Sequence, residues 1–101
     1  MLIDATSAAL SGLRAAGARL GSSAHNVANL LTEDFHPERA VQSAEPTGGV
    51  STRVERAPAP AEVDLASELV DQDLAALQGR ASLRVLDVQL GLLGSLLDLH
   101  R

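Results

Sequence analysis

The sequence of 101 residues contains no cysteine, no tryptophan, no tyrosine and a single phenylalanine, Phe35. Without cysteine, the chain cannot form disulfides, use a thiol in catalysis or bind a metal through thiolates. Hydrophobic residues make up 46% of the chain but aromatic residues only 1%. A core of alanine, leucine and valine buries less area than one that includes aromatic rings. This composition therefore favours long helices packed side by side over a compact globule.

Lysine is also absent, and the 8 basic residues, all arginine, face 13 acidic residues, which gives a net charge of -5. Because the arginines form no cluster, binding to nucleic acid or to an anionic membrane surface is disfavoured. No apolar run approaches the roughly 20 residues needed to span a bilayer. The first residues show no basic region followed by an apolar run, so no cleaved secretory signal is expected.

Two long helices are predicted, over residues 3–31 and 64–99, and Asp64 is expected to cap the second. In the first helix, apolar and small residues alternate spacings of three and four, which is a heptad seam. The seam comprises Ile3, Thr6, Leu10, Leu13, Gly17, Leu20, Ala24, Val27 and Leu31. Each glycine in a helix costs about 1 kcal/mol relative to alanine. With Gly12, Gly17 and Gly21 inside it, the first helix is expected to need a partner.

The segment 32–62 breaks the helical pattern. Residues 39–43 and 50–55 could form two short strands of a β-hairpin, and residues 57–60, Ala-Pro-Ala-Pro, read as an extended linker. The predicted fold is thus mainly α: an antiparallel, coiled-coil-like helical hairpin joined by an irregular segment, forming one domain over residues 1–101. The length of the linker leaves parallel pairing open.

The distal half of the second helix carries two apolar stripes on a helical wheel. The first comprises Leu83, Leu86, Leu90, Leu93 and Leu97; the second comprises Val85, Val88, Leu92, Leu96 and Leu99. One partner helix can cover one stripe. The other stripe would remain an exposed apolar band, which soluble monomers avoid. This pattern predicts a subunit surrounded by other subunits.

Catalysis and metal binding find little support in the residue pattern. The three histidines, His25, His36 and His100, lack a second ligand at helical metal-site spacing. Asp71 and Asp73, two positions apart on a helix, point away from each other and make a poor acid–base pair. We therefore expect no enzyme, no cofactor and no metal site.

Asn26 and Asn29 share one face near the end of the first helix, with Thr32 following. Ordinary helix termination is one interpretation, and hydrogen bonding to another helix is the other.

The run Asn26-Val-Ala-Asn-Leu-Leu-Thr32, followed by Phe35, resembles the signature Asn-x-Ala-Asn-x-x-Thr-x-Gly-aromatic of bacterial flagellar axial proteins, the rod, hook and hook-associated subunits. Residues 63–99 are similar to the C-terminal helix of the same family. The short length and the Leu-rich ending look closest to proximal rod subunits.

The resemblance implies a non-enzymatic subunit of the flagellar basal-body rod, in the periplasm, exported by the flagellar type III apparatus without a cleaved signal. Its partners would be other rod or axial subunits and the export apparatus, in a homo- or hetero-oligomer. One apolar stripe would meet the first helix and the other the neighbouring subunits. The residues expected at the assembly interface are Asn26, Asn29, Thr32, Leu92, Leu93, Leu96, Leu97 and Leu99.

The chain departs from the family pattern at several places. Asp34 stands where glycine is usual, and Gly79 stands where an aromatic residue is common and is expected to loosen the helix. The middle segment is also short.

Two alternative functions remain. One is a small helical-hairpin adapter or export chaperone that binds one protein partner. The other is an amphipathic helix lying on a membrane surface, which the acidic charge disfavours.

Overall fold

The computed structural model describes residues 2–99, with side chains from Asp4 onward. Its elements are helix α1 (Leu2–Ala28), strand β1 (Glu38–Ala44), strand β2 (Val50–Arg56) and helix α2 (Leu65–Leu99). The prediction of a mainly helical fold with two long helices and a short antiparallel hairpin between them is confirmed. The molecule is elongated, with a longest dimension of 63 Å. His100, singled out from the sequence, lies outside the described residues.

Antiparallel pairing of α1 and α2 is fixed by polar contacts along their length. Arg19 Nη2 lies 2.6 Å from Asp71 Oδ1, and Ser23 Oγ donates to the Glu68 carbonyl at 3.0 Å. Further along, a Cβ added to Gly12 would lie 2.6 Å from Ser82 Oγ. Increasing residue number in α1 thus matches decreasing number in α2, which excludes the parallel arrangement.

The predicted heptad seam is not the surface that α1 buries. The buried residues of α1 are small: Ala9, Ala15, Ala16, Ser22, Ser23 and Asn26. Leu10 and Leu20, by contrast, remain 38% and 45% exposed. The seam prediction was wrong because small side chains let the two backbones approach closely, whereas leucines would hold them apart. Gly79 belongs to this contact, since its added Cβ would lie 3.6 Å from Ala16 Cβ, and α2 continues through it without a break.

The predicted cap of α2 is confirmed. Asp64 Oδ1 accepts a hydrogen bond from the Ala66 N–H at 3.2 Å, and Asp64 Oδ2 accepts one from Ser67 Oγ at 2.7 Å. These hydrogen bonds, that of Ser67 first, favour the charged carboxylate and lower the pKa of Asp64. The capping contribution is therefore present at neutral pH and decreases as acid protonates Asp64.

The first helix ends at Ala28, three residues before the predicted end at residue 31. The Asn29 N–H still reaches the His25 carbonyl at 3.2 Å, and the Asn29 side-chain Nδ2 donates to the same carbonyl at 3.0 Å. The His25 carbonyl thus accepts two hydrogen bonds from Asn29, while the next N–H, that of Leu30, bonds the Val27 carbonyl three residues back, as is usual where a helix ends. Turns then lead to Asp34 and to Pro37.

The hairpin strands each extend slightly beyond the predicted residues and pair in the register Glu38–Arg56 to Ala44–Val50. Gly48 and Gly49 close the turn with φ of 99° and 80°, a conformation that glycine adopts without strain. Two side chains of α1 hold opposite corners of the hairpin. Asn26 binds the backbone of Glu38, and Ser11 Oγ accepts the Val50 N–H at 3.0 Å. The hairpin therefore packs on α1.

Asp34 has a φ of 54°, in the left-handed region that glycine favours. Among the described non-glycine residues it is the one with positive φ. A left-handed conformation costs a residue with a Cβ roughly 1–2 kcal/mol. We expect Asp34→Gly to raise the free energy of unfolding by about 0.5–1 kcal/mol, after allowing for the greater flexibility of glycine in the unfolded chain.

Urea unfolding followed by circular dichroism measures this change. Glu33→Gly is the matched control, because Glu33 has no positive φ and glycine there should be neutral or destabilising. A destabilising effect of Asp34→Gly would contradict the interpretation of this turn.

Candidate assembly surface

The distal segment of α2, residues 90–99, is exposed at every position. Leucines on both predicted stripes are uncovered, with side chains 45–78% exposed: Leu90, Leu92, Leu93, Leu96, Leu97 and Leu99. A Cβ added to Gly91 or Gly94 would meet no atom within 4 Å. None of the described side chains in this segment is therefore buried within the chain.

The first helix can meet one of the two stripes only up to about residue 92 of α2. The reason is the relative length of the helices. Since Gly12 lies beside Ser82 in an antiparallel pair, Leu2 at the start of α1 lies level with about residue 92 of α2. Beyond that level the described part of α1 offers no backbone to pack against.

Asn26 lies at the opposite end of the helical pair and is 3% exposed. Its Nδ2 donates to the Glu38 carbonyl at 2.8 Å and to Glu68 Oε1 at 3.0 Å, while its Oδ1 accepts the Glu38 N–H at 2.8 Å. One amide thus joins α1, β1 and α2. Its polar atoms are fully used inside the chain, so we assign it to the fold; any contribution to assembly must act through the position of these elements.

Asn29 and Thr32 are more accessible and bond to each other. Thr32 Oγ1 donates to Asn29 Oδ1 at 3.1 Å, and the Thr32 N–H donates to the Asn29 carbonyl at 3.0 Å. Next to them, the rings of His25 and Phe35 lie 5.5 Å apart, and His25 Nε2 is 3.6 Å from Glu38 Oε1. The signature residues therefore form one compact junction, far from the distal leucines.

The interpretation that an asparagine near the end of α1 bonds another helix is confirmed by the Asn26–Glu68 hydrogen bond, but sequence reasoning missed the other polar contacts between elements. Asp71, considered only as a catalytic candidate, accepts two hydrogen bonds from the Arg19 guanidinium, at 2.8 and 2.6 Å. Glu68 bonds Asn26, and Gln42 exchanges amide hydrogen bonds with Gln78 at 3.1 and 2.9 Å. Single residues on separate elements give no signal of such pairs until the relative position of the elements is known.

Neither a cluster of metal-ligating side chains nor a membrane-spanning helix is found within residues 2–99. His36 Nδ1 lies 2.8 Å from the Ala57 carbonyl, and within this range no three acidic or histidine side chains converge as a metal site would require. No helix in the same range is both long and apolar enough to cross a bilayer.

Comparison of the sequence with models of known protein families and with curated proteins gave no match. The functional assignment therefore depends on the residue pattern and on the geometry of the chain.

Proposed function

We propose that this protein is a structural subunit of the bacterial flagellar basal-body rod, which assembles through its terminal helices with other rod or axial subunits. The observation that carries the proposal is the bare distal segment, residues 90–99, exposed on both apolar stripes. Soluble monomers rarely expose large apolar patches, and this segment of ten residues leaves six leucines exposed. In a packed tube of subunits, neighbouring helices would cover it from several directions.

The outer face of α1 supports the same proposal. The heptad seam that is not buried against α2 includes Leu10, Gly17, Leu20 and Ala24, all exposed. A seam with spacings of three and four is the pattern that a second helix packs against. An added Cβ at Gly17 would meet nothing within 4 Å, so another helix could approach closely there.

The turn after α1 supports the resemblance to axial proteins. Where the family signature has glycine, this chain has Asp34, and its φ of 54° is the conformation that glycine adopts most easily. The backbone thus retains the shape that the signature implies, although the residue differs. Asparagine and aspartate are the residues that best tolerate this conformation after glycine.

The proposal is tested by Leu96→Asp in the full chain. Leu96 is 45% exposed in the isolated chain, so the variant should fold, whereas a carboxylate buried between subunits is strongly unfavourable. We expect the concentration at which the protein self-associates, measured by sedimentation velocity, to rise by about tenfold or more. In the flagellated bacterium, the variant should be missing from purified basal bodies.

Ser95→Asp is the matched control, because it places the same carboxylate at the neighbouring exposed position, on the polar side between the stripes. It should assemble nearly as well as the parent chain. A parent chain that stays a monomer at high concentration and binds one partner in a one-to-one complex would instead support the adapter or export-chaperone alternative. Unimpaired incorporation of Leu96→Asp into basal bodies would overturn the proposed interface.

A further inference from the structure

Strand β2 has an outer edge that β1 does not pair. In an antiparallel pair, alternate residues direct both N–H and C=O towards the partner strand, and the residues between them direct both away. The Ala57 N–H bonds the Pro37 carbonyl at 2.8 Å, and the Glu45 N–H bonds the Gly49 carbonyl at 3.0 Å. Odd-numbered residues of β2 therefore pair with β1, and its even-numbered residues direct their backbone groups to the other side.

Helix α1 covers the beginning of this outer edge and leaves the rest open. At Val50 the outward N–H bonds a hydroxyl of α1, that of Ser11, at 3.0 Å. At Thr52, Val54 and Arg56 the outward N–H and C=O groups have no hydrogen-bond partner within the described part of the chain. The Val54 side chain is 51% exposed. Another strand could therefore pair with the second half of β2.

The charges along the open edge are complementary to themselves. Arg53 and Glu55 flank Val54 on one face of β2, where they bond each other at 2.9 and 2.7 Å, with side chains 63% and 45% exposed. If two copies of β2 pair antiparallel about a two-fold axis at Val54, each Arg53 lies opposite the Glu55 of the other copy. Opposite charges directly across an antiparallel pair stabilise it, and like charges destabilise it.

Charge also disfavours the neighbouring registers. Because the even-numbered residues carry the outward groups, the register between two copies of β2 can change only in steps of two residues. A step in one direction sets Arg53 opposite its own copy, and a step in the other direction sets Glu55 opposite its own copy. The other nearby charges leave this choice unchanged, since Arg39 lies opposite Glu55 within each hairpin and Arg56 lies on the other face of β2.

We propose that two copies of the chain associate edge to edge through β2, antiparallel about a two-fold axis at Val54, and form a four-stranded sheet. Val54 would pair with its own copy and Thr52 with Arg56, which gives six hydrogen bonds between the main chains. The ladder would end there, because the Val50 N–H is already bonded to α1 and the opposing Pro58 has no N–H.

This contact is small, so the association should be weak and reversible. It uses a surface separate from the distal segment of α2 and does not depend on the proposed function. All chains in the following experiments carry Leu96→Asp, so that association through the distal segment is weakened and the β2 contact is measured by itself.

The first experiment exchanges charges across the contact. Arg53→Glu or Glu55→Arg alone sets like charges opposite each other at two places. We expect either change to raise the dissociation constant of the dimer at least tenfold in sedimentation equilibrium, with circular dichroism showing that both variants fold. Mixing the two single variants, or combining both changes in one chain, restores opposite charges and should return the constant to within about threefold of the starting value.

The second experiment reports the register, and it is possible because the chain has no cysteine. In the proposed pair the two copies of residue 54 have Cα atoms about 5.5 Å apart, within the range of a disulfide. The two copies of residue 52 are offset by four residues, or about 13 Å. Under mild oxidation, Val54→Cys should therefore form a covalent dimer at least tenfold faster than the matched control, Thr52→Cys.

Three results would each overturn the proposal. They are a chain that remains monomeric at millimolar concentration, equal association of the like-charge variants and the restored pairs, and equal rates of cross-linking for the two cysteine variants.

Discussion

Replacing Asn26 with alanine is expected to lower the free energy of unfolding by about 3 kcal/mol. The substitution removes hydrogen bonds to the backbone N–H and C=O of Glu38 and to the Glu68 carboxylate. Because Asn26 is 3% exposed, water cannot easily replace the lost partner. A buried donor or acceptor left without a partner costs about 1–3 kcal/mol, and more for a charged group. The loss should be a large fraction of the stability of so small a domain.

The measurement is urea unfolding followed by far-ultraviolet circular dichroism. Asn29→Ala is the matched control, since it removes the same side chain three residues away, where the amide bonds the His25 carbonyl near the surface. It should cost only about 1 kcal/mol, as the loss of an exposed terminal hydrogen bond does. Equal effects of the two substitutions would contradict the assignment of Asn26 as the residue that joins the three elements.

Replacing Ala16 with leucine is expected to destabilise the chain by about 2–3 kcal/mol. Ala16 is 5% exposed, and its Cβ lies 3.6 Å from the Cβ position of Gly79 across the helical interface. Three additional carbon atoms cannot enter this space unless the two backbones move apart. That movement would also stretch the nearby Arg19–Asp71 pair.

Ala24→Leu is the control for this prediction, because the same change occurs on the exposed side of α1 and should alter stability by less than about 0.5 kcal/mol. Gly79→Ala provides a finer test of the spacing. One added methyl group would make ordinary contact at 3.6 Å, so this variant should be neutral or more stable by up to about 1 kcal/mol. A neutral Ala16→Leu, measured by thermal or urea unfolding, would show that the helices are farther apart than described.

The sequence was sufficient for the elements and for the cap at Asp64, because periodicity, turn residues and capping residues act over short distances. It was misleading about the face of α1 that packs on α2. Apolar spacing selected the leucines at 10 and 20, but the close contact uses alanine, glycine and serine, which a hydrophobic pattern does not distinguish. Residue size, rather than hydrophobicity, decides the distance between two helical backbones.

The candidate assembly surface could also be predicted only in part from the sequence. The exposed leucines of the distal segment follow from two stripes on one cylinder, which no single partner helix can cover. A hydrogen bond from Asn26 to another helix was one of the two interpretations of the sequence, but its partner Glu68 and its bonds to Glu38 were not predictable, since they require α1, β1 and α2 to meet at one point. The sequence also did not determine which residues of β1 face β2, because a shift of one residue in register would reverse that choice.

The small buried residues of the helical interface have a thermodynamic consequence. The heat capacity gained on unfolding grows with the apolar area that becomes hydrated, and it is about 12–15 cal/mol/K per residue in ordinary domains. A chain whose buried apolar residues are all alanine within the described range should fall below that value. The curve of stability against temperature would then be flatter, and covering the distal leucines by association would make the melting midpoint depend on protein concentration.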